Sequence, residues 1–117
     1  MVVKAGMVET RAAAARLETE VRRGALVLAV LSQLRSQQYG YSLRQALAAK
    51  GMTIDEGTLY PLLRRLDEQG FLANEWRIEE GGPRRRYYWL SPQGTKLYAD
   101  LTLSWHALVD TMSRLLE

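Results

Sequence analysis

The sequence predicts a mainly α-helical chain with one small β-hairpin, on three observations. Apolar residues recur at helical spacing through successive segments between Ala25 and Gln69. The period then falls to two residues over Leu72–Leu90, on either side of a Gly81-Gly82-Pro83 turn. Beyond the hairpin, Leu97, Leu101, Trp105, Leu108, Met112 and Leu115 return at alternating helical spacings and form a heptad-like seam of about five turns.

Taken in order, Met1–Val8 has no clear period and is expected to fray. Thr10–Arg23 is rich in Ala, Glu and Arg, all good helix formers. Leu17 and Val21 share one face, and Leu28 continues the row if the helix passes through Gly24. The segment reads either as an extra helix or as an extension of the next. Ala25–Leu34 is apolar almost all round, as a central core helix is. Tyr39-Gly40-Tyr41 reads as a turn, and Ser42–Lys50 as a short helix with Leu43, Ala46 and Leu47 inward, stopped by Gly51. Asp55 is suited to cap the following helix, whose stripe is Leu59, Leu62, Leu63 and Leu66 and whose end is Gly70. Pro61 removes one backbone bond, which predicts a slight kink or a start one or two residues later. Leu72, Trp76 and Ile78 alternate with Ala73, Glu75 and Arg77 as in a half-buried strand, with Trp76 in the core or supporting the hairpin. Arg85–Leu90 is the second strand. Ser91-Pro92 then offers an N-cap and a first-turn proline to the last helix.

Composition narrows the function. The chain has 117 residues, 47% apolar and 25% charged, enough for one domain with a thin core that a second copy would help to cover. The absence of cysteine excludes a disulfide scaffold, a thiolate zinc site and a cysteine nucleophile. With one His and no helix-borne carboxylate pair, no catalytic residues, no metal ligands and no cofactor are expected. Ala25–Leu31 is too short to span a bilayer and Met1–Arg11 lacks the apolar stretch of a signal peptide, so a cytoplasmic protein without membrane contact is expected. The net charge of +3 conceals 13 Arg against 3 Lys, a bias toward the planar fork that suits phosphates and guanine edges.

Three helices followed by a basic hairpin is the layout of a winged helix-turn-helix, in which the third helix enters the DNA major groove and the hairpin follows the backbone or the minor groove. On that layout, 1–23 is an N-terminal extension, 24–90 the winged-helix DNA-binding domain and 91–117 a long C-terminal dimerisation helix. Thr58 and Tyr60 are candidates to give hydroxyl hydrogen bonds to phosphates, and Arg64 to reach a phosphate or a guanine edge. Arg65 could instead pair with Asp67 or Glu68. In the hairpin, strand alternation sends Arg85 and Arg86 to opposite faces, so Arg84 and Arg86 are the candidates for phosphate contact, while Glu79 and Glu80 could pair with the arginine run. Of Tyr87 and Tyr88, one packs inward.

Glu56-Gly57-Thr58-Leu59-Tyr60-Pro61-Leu62-Leu63-Arg64-Arg65-Leu66, with Gly70, Trp76, Gly81-Gly82-Pro83-Arg84-Arg85 and Tyr87-Tyr88, resembles the signature of the PadR family of bacterial transcriptional regulators. Tyr39-Gly40-Tyr41 is similar to the family's motif before its second helix, and the likeness runs from about Gly24 to Glu117. The resemblance implies a homodimeric repressor on a palindromic double-stranded operator. One helix after the hairpin makes the chain similar to the short subfamily, which includes multidrug-responsive members. In the best-known of these a tryptophan on the last helix stacks planar aromatic ligands at the dimer interface, and Trp105 holds the matching position. The chain differs in its N-terminal extension and in Val109, where that regulator carries an acidic residue. Trp105 thus has two readings, an anchor of the dimer core or an effector platform. The alternative function is a winged-helix module for protein–protein contact that binds neither DNA nor ligand.

Overall fold

Two long helices bracket the chain. The structure, a computed structural model, describes residues 2–117. Its elements are α1 (Val2–Gln33), β1 (Gln38–Tyr39), α2 (Gly40–Ala49), α3 (Glu56–Glu68), β2 (Leu72–Ile78), β3 (Arg84–Leu90) and α4 (Pro92–Leu115). α1 is one helix of 32 residues, about 48 Å long at the usual rise. It runs through Gly24 without a break, so the segment before Ala25 is an extension of the core helix and not a separate one. The expected fraying gives way to helix from Val2 onward; Met1 lies outside the described residues.

The core forms where α1, α2 and α3 meet, and it is almost wholly aliphatic. Val30, Leu31, Leu34, Leu43, Leu59 and Leu63 are fully buried. Leu43, Leu59 and Leu63 come from single apolar stripes of α2 and α3, whereas Val30, Leu31 and Leu34 come from the stretch that is apolar almost all round. An ion pair from Arg44 Nη1 to Glu56 Oε1 at 3.0 Å braces the loop between α2 and α3, and Arg44 Nε donates to the Ile54 carbonyl at 3.2 Å. α3 begins at Glu56 with Asp55 as its N-cap and keeps Pro61 inside it, so the later start is not taken.

The sheet has three strands in the order β1-β3-β2, all antiparallel. β1 pairs Gln38 with Tyr88 and Tyr39 with Tyr87, where a turn was expected. Two residues are too short to display a strand period, and Tyr39 passes straight from the ladder into the N-cap of α2. In the hairpin, Leu72 faces Leu90, Asn74 faces Tyr88, Trp76 faces Arg86 and Ile78 faces Arg84. Only the base of this face meets the core, through Leu72, Tyr88 and Leu90. Farther out the hairpin outruns the helices, which leaves Trp76 50% and Ile78 76% exposed. Trp76 therefore supports the hairpin and is not a core residue. Tyr88 is thus the tyrosine that packs on the core, while Tyr87, on the other face, is buried against Tyr39 and Arg77.

α4 is seated by a tight corner. The Ser91 amide donates to the Phe71 carbonyl at 3.1 Å, the Ser91 hydroxyl donates to the Gly70 carbonyl at 2.6 Å, and the Gly94 amide donates to that hydroxyl at 3.0 Å. Leu97, Tyr98 and Leu101 then lie against the core, and from Leu103 the helix leaves it. The Cα radius of gyration is 18.0 Å, against about 13 Å for a compact domain of this length. Among the described residues no helix is long and apolar enough to cross a membrane.

Candidate nucleic-acid interface

The outer face of α3, the start of α2 and the hairpin line one open cleft. Its walls include Tyr41, Tyr60, Arg64, Trp76, Arg86 and Tyr88. Basic and aromatic side chains line it together, a composition suited to a polyanion.

The structure sets three of the expected site residues on α3. Thr58 is the third residue of the helix and exposed. Its hydroxyl, and then its amide, which donates to Asp55 Oδ1 at 2.9 Å, hold the Asp55 carboxyl below the usual carboxylate range. Tyr60 leans over the first residue of α2: a Cβ added to Gly40 would overlap its ring and lie 2.9 Å from its hydroxyl. The glycine of the Tyr39-Gly40-Tyr41 motif is thus what lets the ring settle there. Arg64 is exposed on the next turn and lines the cleft. Tyr39, Gly40 and Tyr41 join the same wall, although periodicity gave no sign of it, because a long-range approach of α3 brings them there.

The hairpin treats its three arginines differently. Arg84 is exposed, stands 4.5 Å above the Trp76 ring and has no ion pair among the described residues. Arg85 points to the opposite face, where it covers the Tyr39 ring at 4.5 Å and pairs with Glu79 at 3.2 Å. The Tyr87 hydroxyl donates to the same Glu79 carboxylate, which pushes the phenol up from its ordinary range. Arg86 is tied inward: its Nη2 pairs with Asp67 Oδ2 at 3.3 Å and its Nε donates to Asn74 Oδ1 at 3.1 Å. Asp67 is therefore the partner of Arg86 in the hairpin, not of neighbouring Arg65. Burial pushes the Tyr88 phenol up beside them.

Trp105 lies far from this cleft on the projecting part of α4. It is 41% exposed, with Leu108, Val109 and Met112 exposed around it. Among the described residues no His, Cys, Asp and Glu cluster forms a metal site.

Helix order, a three-stranded sheet and a basic hairpin beside α3 define a winged helix-turn-helix regulator. Residues 27–100 match the family model described as the transcriptional regulator PadR-like family, and the chain belongs to that family. It is similar to a PadR family transcriptional regulator from Eggerthella lenta, with a TM-score of 0.86 and 42% identity over 94% of this chain and 97% of that one. A PadR-like transcriptional regulator from Bacillus cereus gives 0.75 and 27% identity over 84% and 97% of the two chains. A transcriptional regulator of Mycobacterium tuberculosis is 38% identical over 69 residues, 58% of this chain and 64% of that protein, so the match spans just under two thirds of its length. The family and the solved neighbours are regulators of transcription, and this chain is one of them, not an enzyme.

Proposed function

We propose that the protein is a repressor that holds a pseudo-palindromic operator in double-stranded DNA as a homodimer. A small planar aromatic effector, stacked on Trp105 at the dimer interface, releases it. One observation carries the dimer: the protomer has more surface than a chain of its size should. Its accessible area is 8561 Å², about 2,100 Å² above the scaling for a compact monomer of this mass. The excess matches one side of a large obligate interface. The projecting helices also expose large apolar side chains, at Leu17 and Val21 of α1 and at Leu103, Leu108 and Leu115 of α4.

In this reading two copies of α3 enter successive major grooves about 34 Å apart. Thr58, Tyr60, Arg64 and Arg84 face the phosphates, and Arg64 is long enough to reach a base edge. The test is a salt titration of duplex affinity. Arg84→Ala is expected to weaken binding to all sequences alike and to flatten the log–log salt slope by about 0.9 per protomer. An unchanged slope would remove the hairpin tip from the interface.

A second expectation isolates Tyr60. Gly40→Ala drives its ring off α2 and is expected to lower duplex affinity about fivefold per protomer, the worth of one hydrogen bond. Far-UV circular dichroism should stay unchanged. Unaltered affinity would leave Tyr60 a packing residue.

The effector arm has its own measurement. In a Trp76→Phe, Trp89→Phe background, planar aromatic dyes are expected to quench Trp105 fluorescence and to lower operator affinity together. A diverse dye panel without quenching would make Trp105 an anchor of the dimer and nothing more.

A further inference from the structure

We infer that Asp67 is a positioning residue which keeps Arg86 out of the phosphate contacts and uses it as a strut between α3 and the hairpin. The inference rests on the DNA-binding reading above and assigns unequal roles to two arginines that share one face of β3.

Three side chains from three elements close a ring. Asp67 of α3 accepts from Asn74 Nδ2 of β2 at 2.8 Å through Oδ1 and pairs with Arg86 of β3 at 3.3 Å through Oδ2. Asn74 Oδ1 accepts from Arg86 Nε at 3.1 Å and completes the ring. The Tyr88 ring lies 5.4 Å from the Arg86 guanidinium and the Trp76 ring 5.8 Å from it. Asp67 has only 20% of its side chain exposed, so solvent screens this pair less than a pair at the rim.

The physical consequence has two parts. To reach a phosphate, Arg86 must give up a carboxylate and a carboxamide together. Arg84 gives up no ion pair. The closed ring, in turn, connects the last turn of α3 to both hairpin strands, away from the turn at Gly81 and Gly82. It therefore sets how far the hairpin stands from the reading helix. Asp67 acts on DNA only through Arg86.

Three variants and one probe test this: Asp67→Asn, Arg86→Ala and their double, with a random-sequence duplex titrated from about 50 to 200 mM salt. Asp67→Asn frees Arg86 and is expected to steepen the salt slope by about 0.9 per protomer. Arg86→Ala is expected to leave the slope at the wild-type value. In the Arg86→Ala background, Asp67→Asn is expected to add no steepening. Equal steepening in both backgrounds would show simple loss of a repelling carboxylate and overturn the inference. So would a slope that Arg86→Ala flattens, or one that Asp67→Asn leaves alone.

Thermal melts of the same three variants without DNA supply the independent arm. Non-additive shifts are expected from the shared ring, and strictly additive shifts overturn it whatever the DNA data show. Wild-type protein with no salt-dependent duplex affinity would instead bring down the DNA-binding reading itself. That outcome is distinguishable, because the non-additive melts would persist.

Discussion

Gly94→Ala is expected to lower the thermal midpoint by about 12 °C, from a loss of about 3 kcal/mol. Gly94 is the one buried residue of α4, and a Cβ there would run into the Phe71 carbonyl oxygen and lie 2.9 Å from its carbon. Neither side can yield cheaply. The Phe71 carbonyl already accepts from the Ser91 amide, and the Gly94 amide is spent on the Ser91 hydroxyl. Moving either backbone opens the corner that seats α4 on the core. The same substitution at Gly24 has the opposite sign. That glycine is inside α1, and nothing lies within 4 Å of a Cβ added to it. Gly24→Ala should therefore stabilise by about 0.5–1 kcal/mol through helix propensity alone. The pair is read in one set of melting curves. A Gly94→Ala midpoint equal to wild type would mean that α4 does not cross the Phe71 backbone here.

Nothing in the local sequence marks Gly94 as buried. Periodicity reports which side of an element faces inward, and this worked wherever a helix had a single apolar stripe. The Leu59, Leu62, Leu63 and Leu66 row of α3 is buried as its spacing implies. Local capping chemistry was equally legible: Asp55 accepts from the Thr58 amide and Ser91 from the Gly94 amide. Periodicity says nothing of how far an element outruns its neighbours. Trp76 and Ile78 alternate correctly yet stand in solvent, because nothing covers the outer hairpin. It is also silent about distant partners. The approach of Gly94 to Phe71 and of Gly40 to Tyr60, and the closure of Asp67 on Arg86, each join separate elements. In the interface, residue type and local spacing pointed to Thr58, Tyr60, Arg64, Arg84 and Arg86, with the last two on equal terms. The unequal standing of Arg84 and Arg86 needed the third element, α3, to be in place.

Leu108→Asp is expected to have the largest effect on DNA binding, though it touches none of the DNA-facing residues. Leu108 is 53% exposed in the protomer, in the α4 seam between Trp105 and Met112. Within one subunit the change is a surface substitution, worth less than about 0.5 kcal/mol. The core around Leu31, Leu34 and Leu63 is complete without that part of α4, so the monomer stays folded. Across a two-fold axis the same substitution occurs twice, and each added carboxylate enters an apolar seam facing the other copy. Sedimentation at micromolar concentration should accordingly shift from dimer to monomer, with far-UV circular dichroism unchanged. The loss of linkage then reaches the operator. Two heads on one rigid body gain about a hundredfold or more over separate heads by effective concentration, and that gain disappears. Affinity for an inverted-repeat fragment from the DNA upstream of the coding region should fall about a hundredfold, while a lone half-site loses almost nothing. A Leu108→Asp protein that still sediments as a dimer, or a wild-type protein that is already monomeric, would place the seam outside the dimer and leave the paired reading heads without support.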